Sequence, residues 1–224
     1  MRENGADTQV VASVEADDWQ PRWPPQVRST VDQLSYAGGI FEDAHNLFLV
    51  TASGAQEVQL TQTNADDTTP AWSPNGNQLV FASNRTGNYE LFIMSADGTE
   101  DAKRLTTGSG NEAHPSWSPD GQFIVYRAES ERDGNYQLFI ISRDGQSIRP
   151  LFISQFNDDL PAWSPGDRRI AFASDRESPD NPSGSRTYAI YIYNLRTSSL
   201  KRVTQGARDA RYPAWHTQSI TRTQ

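Results

Sequence analysis

Asp66-Asp67-Thr68-Thr69-Pro70-Ala71-Trp72-Ser73-Pro74-Asn75-Gly76 returns in phase as Pro115-Ser116-Trp117-Ser118-Pro119-Asp120-Gly121 and as Asp158-Asp159-Leu160-Pro161-Ala162-Trp163-Ser164-Pro165, then in shortened form as Pro213-Ala214-Trp215-His216. The Trp-to-Trp spacings are 45, 46 and 52. A period of about 40 to 50 residues is that of a four-stranded propeller blade, but helical arrays share it. The residues between the tryptophans decide. Leu79-Val80-Phe81, Leu91-Phe92-Ile93, Phe123-Ile124-Val125-Tyr126, Leu138-Phe139-Ile140-Ile141, Ile170-Ala171-Phe172 and Ile190-Tyr191-Ile192-Tyr193 are short, rich in β-branched and aromatic residues, and bounded by turn residues, as strands are. Their near-continuous apolarity fits sheets covered on both faces. Ser73-Pro74-Asn75-Gly76 and Ser118-Pro119-Asp120-Gly121 place Pro early and Gly late, as a tight turn requires. Ala96-Asp97-Gly98 and Arg143-Asp144-Gly145 mark the next connection and lead to fourth strands near 102–105 and 147–152.

Working outward, an earlier and more degenerate repeat phases on Trp23, with 34–37, Asn46–Thr51 and 57–61 as its second, third and fourth strands; Pro24-Pro25-Gln26 replaces the usual turn. The reading is an all-β chain, a β-propeller of four-stranded antiparallel blades, with four full blades and a composite or incomplete fifth. All 224 residues form one domain, with repeats at about 15–61, 62–106, 107–153 and 154–204. Residues 205–224 and 8–14 make the fifth blade, 9–14 as its outer strand and 212–216 as its inner one. Such closure hides sheet edges. Within a blade, however, first and fourth strands are not neighbours, and only the weakly apolar 219–223 could stand between them, so the expectation is a further strand, from missing sequence or from a partner.

The formal charge of -8 and the scatter of the arginines speak against a nucleic-acid partner. With no Cys there is no disulfide framework, thiolate zinc site or thiol nucleophile. No segment approaches 18 consecutive apolar residues, so no membrane insertion is expected. A cytoplasmic location follows if Met1 is the natural start, and a periplasmic or secreted one if the chain is a mature or excised fragment; both stay open. Gly-x-Ser-x-Gly, phosphate-loop and dinucleotide motifs are missing from the sequence.

The run Asp66-Asp67, Pro70 to Gly76, Phe81-Ala82-Ser83-Asn84-Arg85, Leu91 to Gly98 and Arg104-Leu105-Thr106, with Phe172-Ala173-Ser174-Asp175-Arg176 repeating its middle, resembles the repeat of TolB-type, WD-like β-propellers. The resemblance covers about 55–216 well and 9–54 loosely. It implies a soluble bacterial propeller. Similar repeats occur in periplasmic TolB, in propellers attached to prolyl-oligopeptidase-like hydrolases and in bacterial signalling proteins, so fold alone leaves the function open.

Recurrence once per blade assigns the tryptophans to packing between blades. Arg85 and Arg176 follow Asn84 and Asp175 in equivalent loops, where bracing by charge-assisted hydrogen bonds is the plainer role. Asn84-Arg85-Thr86 matches a glycosylation acceptor, but turn chemistry already explains it. His45, His114 and His216 make no paired zinc spacing. Acids precede the inner strand in repeat after repeat: Asp17-Asp18, Asp66-Asp67, Glu112, Asp158-Asp159 and Asp209. Solvated loops bonding turn amides are the plain reading; a carboxylate ring at a channel mouth, suited to calcium, is the sharper one, and no cofactor is expected.

The function expected is that of a non-catalytic scaffold binding a protein or peptide, with a cationic segment, through one loop face. Its contact residues are Asp66, Asp67, Glu112, Asp158, Asp159, Asp175, Arg176, Glu177 and Asp180, with the loops 129–136 and 175–187. Arg143, Arg168 and Arg169 fall on the opposite face. The alternative is the propeller part of a larger prolyl-oligopeptidase-like hydrolase, or a metal-dependent propeller enzyme.

Overall fold

A computed structural model describes residues 19–22, 33–38, 44–51, 53, 56–176, 186–205 and 209–215. The chain divides into two compact units, Met1–Gly108 and Ser109–Gln224, and each contains two sheets of four antiparallel strands. The first unit holds β1 (Trp19–Arg22), β2 (Gln33–Gly38), β3 (Asn46–Thr51) and β4 (Glu57–Gln59) in one sheet, with β5 (Asp67–Trp72), β6 (Gln78–Ser83), β7 (Glu90–Ser95) and β8 (Lys103–Arg104) in the other. The second holds β9 (Glu112–Trp117), β10 (Phe123–Glu129), β11 (Tyr136–Ser142) and β12 (Ile148–Pro150), then β13 (Asp158–Trp163), β14 (Arg169–Ser174), β15 (Ala189–Asn194) and β16 (Ser199–Arg202). Every sheet is a meander in chain order, and no helix occurs among the described residues. This is the all-β propeller class expected.

The middle strands are buried on both faces. Leu79 to Ser83 and Ile170 to Ser174 are buried without a break, because each sheet packs on its neighbour. In the first unit Ala37 and Leu47 meet Leu79, Phe81, Phe92 and Met94, with Trp72 against them. In the second, Val125, Leu138 and Ile140 meet Ile170, Phe172 and Tyr191, with Trp163 beside them. The outer strands are exposed along β4 and β12.

The inner strands share one irregularity. Pro70, Pro115 and Pro161 have no N–H to give, and in-register pairing breaks at or beside each of them. The preceding residues Thr69, His114 and Leu160 take φ of 51°, 53° and 54°. A side chain in that left-handed region costs about 1–2 kcal/mol, so a bulge that recurs there is a built feature that bends the strand. In the first sheet Arg22 pairs with Ser35 as Ala71 pairs with Val80. That register supports phasing the first repeat on Trp23, which itself lies outside the described residues.

Strands β2, β3 and β4 fall where the sequence places them, and the fourth strands shorten to Lys103–Arg104 and Ile148–Pro150. At the expected fifth inner strand, 209–215 pairs with no strand among the described residues. Its proposed outer mate 9–14, the turn Pro24-Pro25-Gln26 and 219–223 lie outside the described residues.

One turn departs from its siblings. Gly76 N donates to Ser73 O at 2.9 Å and Gly121 N to Ser118 O at 2.9 Å, and Ser73 and Ser118 hydroxyls donate to Asn75 and Asp120. In the third turn the pair is inverted to Gly166-Asp167. Asp167 sits at φ 57° where Gly76 and Gly121 have 73° and 67°, and Gly166 offers Ser164 no side-chain acceptor. Burial and the nearby Asp120 also hold the Asp167 carboxyl above its usual range. Swapping the pair (Gly166→Asp with Asp167→Gly) is expected to stabilise the protein by about 1 kcal/mol, read as a rise in urea midpoint. An unchanged midpoint would show that this turn carries no strain.

Candidate functional site

The acid five residues before the inner-strand tryptophan is not a surface group. Asp67 and Asp158 are 0% exposed. Arg85 Nη2 reaches both Asp67 oxygens at 2.9 Å while its Nε donates to Ser83 Oγ at 2.9 Å. Arg176 repeats this on Asp158 Oδ1 at 2.6 Å and Ser174 Oγ at 2.9 Å. Each guanidinium also lies over aromatic rings, Phe92 at 4.6 Å and Tyr191 at 4.9 Å. A planar fork that bonds a carboxylate and stacks at once is an arginine property that lysine lacks. Burial is the largest influence on Asp158 and leaves its carboxyl above the usual range, despite the Arg176 charge and hydrogen bonds from Ser154 and Ser174.

The side chain six residues before the tryptophan does different work. His45 N–H donates to Asp66 Oδ1 at 3.1 Å, Tyr136 N–H to Asn157 Oδ1 at 3.0 Å, and Tyr188 N–H to Asp209 Oδ1 at 2.8 Å. Each donor is the residue leading into the third strand of the preceding sheet, so this Asp or Asn latches one sheet to the next. Asn84 and Asp175 hold the latch from the other side, accepting Asp66 N–H at 2.8 Å and Asn157 N–H at 2.9 Å. Asp175 also takes Asn157 Nδ2 at 2.8 Å and Arg186 Nη1 at 2.9 Å.

Two histidines join the junctions. His45 Nδ1 lies 2.5 Å from Asp66 Oδ1, and the Tyr89 hydroxyl donates to the same carboxylate. Burial and the Asp66 contact push the Tyr89 hydroxyl well above the usual phenol range. His114 Nδ1 lies 2.6 Å from Asp159 Oδ1, and Arg127 Nη1 3.2 Å from Oδ2. Burial alone would raise the Asp159 carboxyl, but His114, Arg127 and the Leu160 N–H together hold it below the usual range.

Of the expected contact residues, Asp67, Glu112, Asp158 and Asp175 are buried, Asp66, Asp159 and Arg176 are part-buried, and Glu177 and Asp180 lie outside the described residues. Asp66, Asp67 and Asp175 each meet the loop joining the second and third strands of their own sheet or its equivalent latch. The loops leading into inner strands therefore do share an end with those connections. What stands out of that end is the tip Glu131-Arg132-Asp133, with the Arg132 side chain 88% exposed. Exposed carboxylates also stand at the opposite end: Asp97, held near a pKa of about 2 by hydroxyls of Ser95 and Thr99, and Asp120. Among the described residues no three His, Asp or Glu side chains gather as a metal-holding group. The sequence reading missed the latch and both His–Asp pairs. The signal was present in the fixed separation of 18 residues, Asp67 to Arg85 and Asp158 to Arg176, and again Asp66 to Asn84 and Asn157 to Asp175.

The family model of the Tricorn protease N-terminal β-propeller domain matches residues 38–221. Among solved structures, TolB from Acinetobacter baumannii is 22% identical with a TM-score of 0.71, over 92% of this chain and 48% of that one. Hydrazine synthase from Kuenenia stuttgartiensis is 14% identical, TM-score 0.74, over 96% and 36%. A puromycin-hydrolyzing peptidase from Mycobacterium tuberculosis is 10% identical, TM-score 0.59, over 76% and 26%. The chain thus spans less than half the length of each. At these identities the likeness is one of fold, and it bears out the TolB-type propeller resemblance.

Two outcomes follow. Arg85→Met leaves the Asp67 carboxylate buried without its partner and is expected to cost about 3 kcal/mol. Adding Asp67→Asn should return about 1 kcal/mol or more of that loss; strictly additive losses in urea denaturation would mean the brace is not energetically coupled. For Asp159, a carboxyl held low in the fold binds fewer protons than in the unfolded chain, so its stabilisation is present above about pH 4 and vanishes as pH falls through the folded value. Asp159→Asn should therefore lower the urea midpoint at pH 7 and converge with the parent protein near pH 2. An equal gap at both pH values would contradict this.

Proposed function

This chain belongs to the family of Tricorn protease N-terminal β-propeller domains, and from that premise we propose that it is a non-catalytic propeller module that binds a protein or peptide through the loops leading into its inner strands and the loops joining its second and third strands. The supporting observation is the matched pair of braces, Arg85 on Asp67 and Ser83, and Arg176 on Asp158 and Ser174. They fix the roots of equivalent loops on two sheets; in the corresponding loop between β10 and β11 the Ser130 N–H donates to Asn135 O at 2.9 Å at the root, and the tip Glu131-Arg132-Asp133 stays exposed. A loop held at its base and free at its tip presents side chains without a large ordering cost on binding. Within the second unit Asp159 and Glu131 keep part of their surface exposed, which favours a partner with a cationic segment and an encounter weakened by salt.

A second reading has its own support. The matched family is named for a protease domain, and the structural relatives include a peptidase of which this chain covers 26%. Under that reading the module serves a hydrolase, and its loop face meets the hydrolase or guides its substrate.

The test is affinity capture from the native host with the parent protein and two variants. Replacing Glu131, Arg132 and Asp133 by Ser should leave stability within about 0.5 kcal/mol and abolish capture of a protein that the parent retains. Arg143→Ala with Arg168→Ala, at the other end of the sheets, should not. Loss only in the arginine variant would place binding at the other end. A captured partner carrying a Ser/His/Asp hydrolase domain would favour the second reading.

A further inference from the structure

Asp209 to Trp215 has every feature of an inner strand except a sheet. Asp209 Oδ1 takes the Tyr188 N–H at 2.8 Å, as Asp66 takes that of His45. Ala210 N–H donates to Tyr188 O at 2.8 Å, as Asp67 N–H donates to His45 O at 2.7 Å. Tyr212, three residues before Trp215, has φ 59°, beside 51°, 53° and 54° at Thr69, His114 and Leu160. Trp215 Nε1 donates to Ala162 O at 2.9 Å, as Trp72 Nε1 donates to Arg22 O at 3.1 Å. The left-handed conformation at Tyr212, a bulky residue before proline, is costly for a loose segment. Yet it is held here with no strand paired to it among the described residues.

We propose that this segment is an edge for strand addition, taking an extended antiparallel strand supplied in trans. The three completed inner strands state what that strand must carry. Trp72, Trp117 and Trp163 stand opposite Leu79, Ile124 and Ile170, and the preceding residues opposite Val80, Val125 and Ala171. One step further come Phe81, Tyr126 and Phe172, whose rings fill the core between sheets. The occupant therefore presents Leu or Ile opposite Trp215, a small residue or Val opposite Ala214, and then an aromatic ring. Its seat continues the interface that Trp215 already forms with Ala162 of β13, and Arg169 at the start of β14 lies 5.2 Å over the Trp215 ring. Ala210 stands where the other inner strands carry Asp67, Glu112 and Asp158, so the occupant needs no bracing arginine in its following loop. In such recognition the main chain supplies affinity and alternate side chains supply specificity. The proposal rests on the reading of the chain as a protein-binding module but uses a different surface from the loop tips.

The probe is a synthetic peptide with the sequence of residues 76–84, Gly-Asn-Gln-Leu-Val-Phe-Ala-Ser-Asn, with a scrambled version as control. Hydrogen exchange of the full chain is followed by mass spectrometry. The peptide should slow exchange across 209–215 about tenfold and saturably, leaving 78–83 unchanged, and the scrambled peptide should not. Tyr212→Pro, which fixes φ near −65°, should remove the effect while the remaining sheets keep their exchange rates. No slowing in the parent protein overturns the proposal. So does slow exchange at 209–215 before any peptide is added, because the chain then fills its own edge. The Ser-substituted loop tip at 131–133 should take the peptide normally. If that variant loses partner capture while the parent ignores the peptide, the loop-face function stands and the strand-addition edge falls.

Discussion

Everything in this molecule hangs on how an inner strand recognises the main chain of the sheet before it. At its start an Asp or Asn side chain accepts the N–H that leads into the neighbour's third strand, as Asp66, Asn157 and Asp209 do. At its end the indole of Trp72 or Trp215 donates to a carbonyl of the neighbour's inner strand. Backbone groups buried between sheets must find partners or cost several times what a made hydrogen bond contributes. Where both bonds are present, at the inner strands ending in Trp72 and Trp215, two bonds to main-chain atoms about one strand length apart fix the position and the tilt of the strand on the preceding sheet. Because they address backbone, the side chains between them are free to vary, and a repeat as degenerate as the first can keep its register.

The buried acid that follows each latch residue, Asp67 after Asp66 and Asp158 after Asn157, is a consequence of the latch. Once the Asp or Asn has latched, the next residue points into the sheet junction, where a lone carboxylate is costly to desolvate. Asp67 and Asp158 therefore recruit Arg85 and Arg176, and the arginine in turn fixes the root of the loop that carries it. The charge that might have faced a partner is spent inside the fold, and the loops gain fixed roots instead. Ala210 is the exception, an uncharged residue at the position of Asp67 and Asp158.

The architecture was legible because its determinants are local: a tryptophan at a fixed period, runs of β-branched residues, and Ser-Pro turns closed by glycine. Strand positions in four sheets follow from these. The site was less legible, since acids beside turns are ordinarily solvated and nothing local distinguishes Asp67 from Asp97. The distinction lies in a partner 18 residues away, whose recurrence at Asp158 and Arg176 is visible only once two repeats are set side by side. The latch was harder still, because it alternates between Asp and Asn, and a search for charge sees only half of it. The fifth inner strand was expected from its Pro-Ala-Trp signature, and among the described residues that segment docks on the preceding sheet through Asp209 and Trp215.

Native-state hydrogen exchange by NMR at the amides of His45, Tyr136 and Tyr188 tests the latch most directly. His45 and Tyr188 lie just before a strand and Tyr136 is the first residue of one, where exchange is ordinarily fast, yet each N–H is held by a side chain at 2.8–3.1 Å. The account predicts protection at all three comparable with the middle strands, and loss of it at Tyr136 alone in Asn157→Ala. Exchange at loop rates in the parent protein, or an Asn157→Ala variant with Tyr136 still protected, would contradict it.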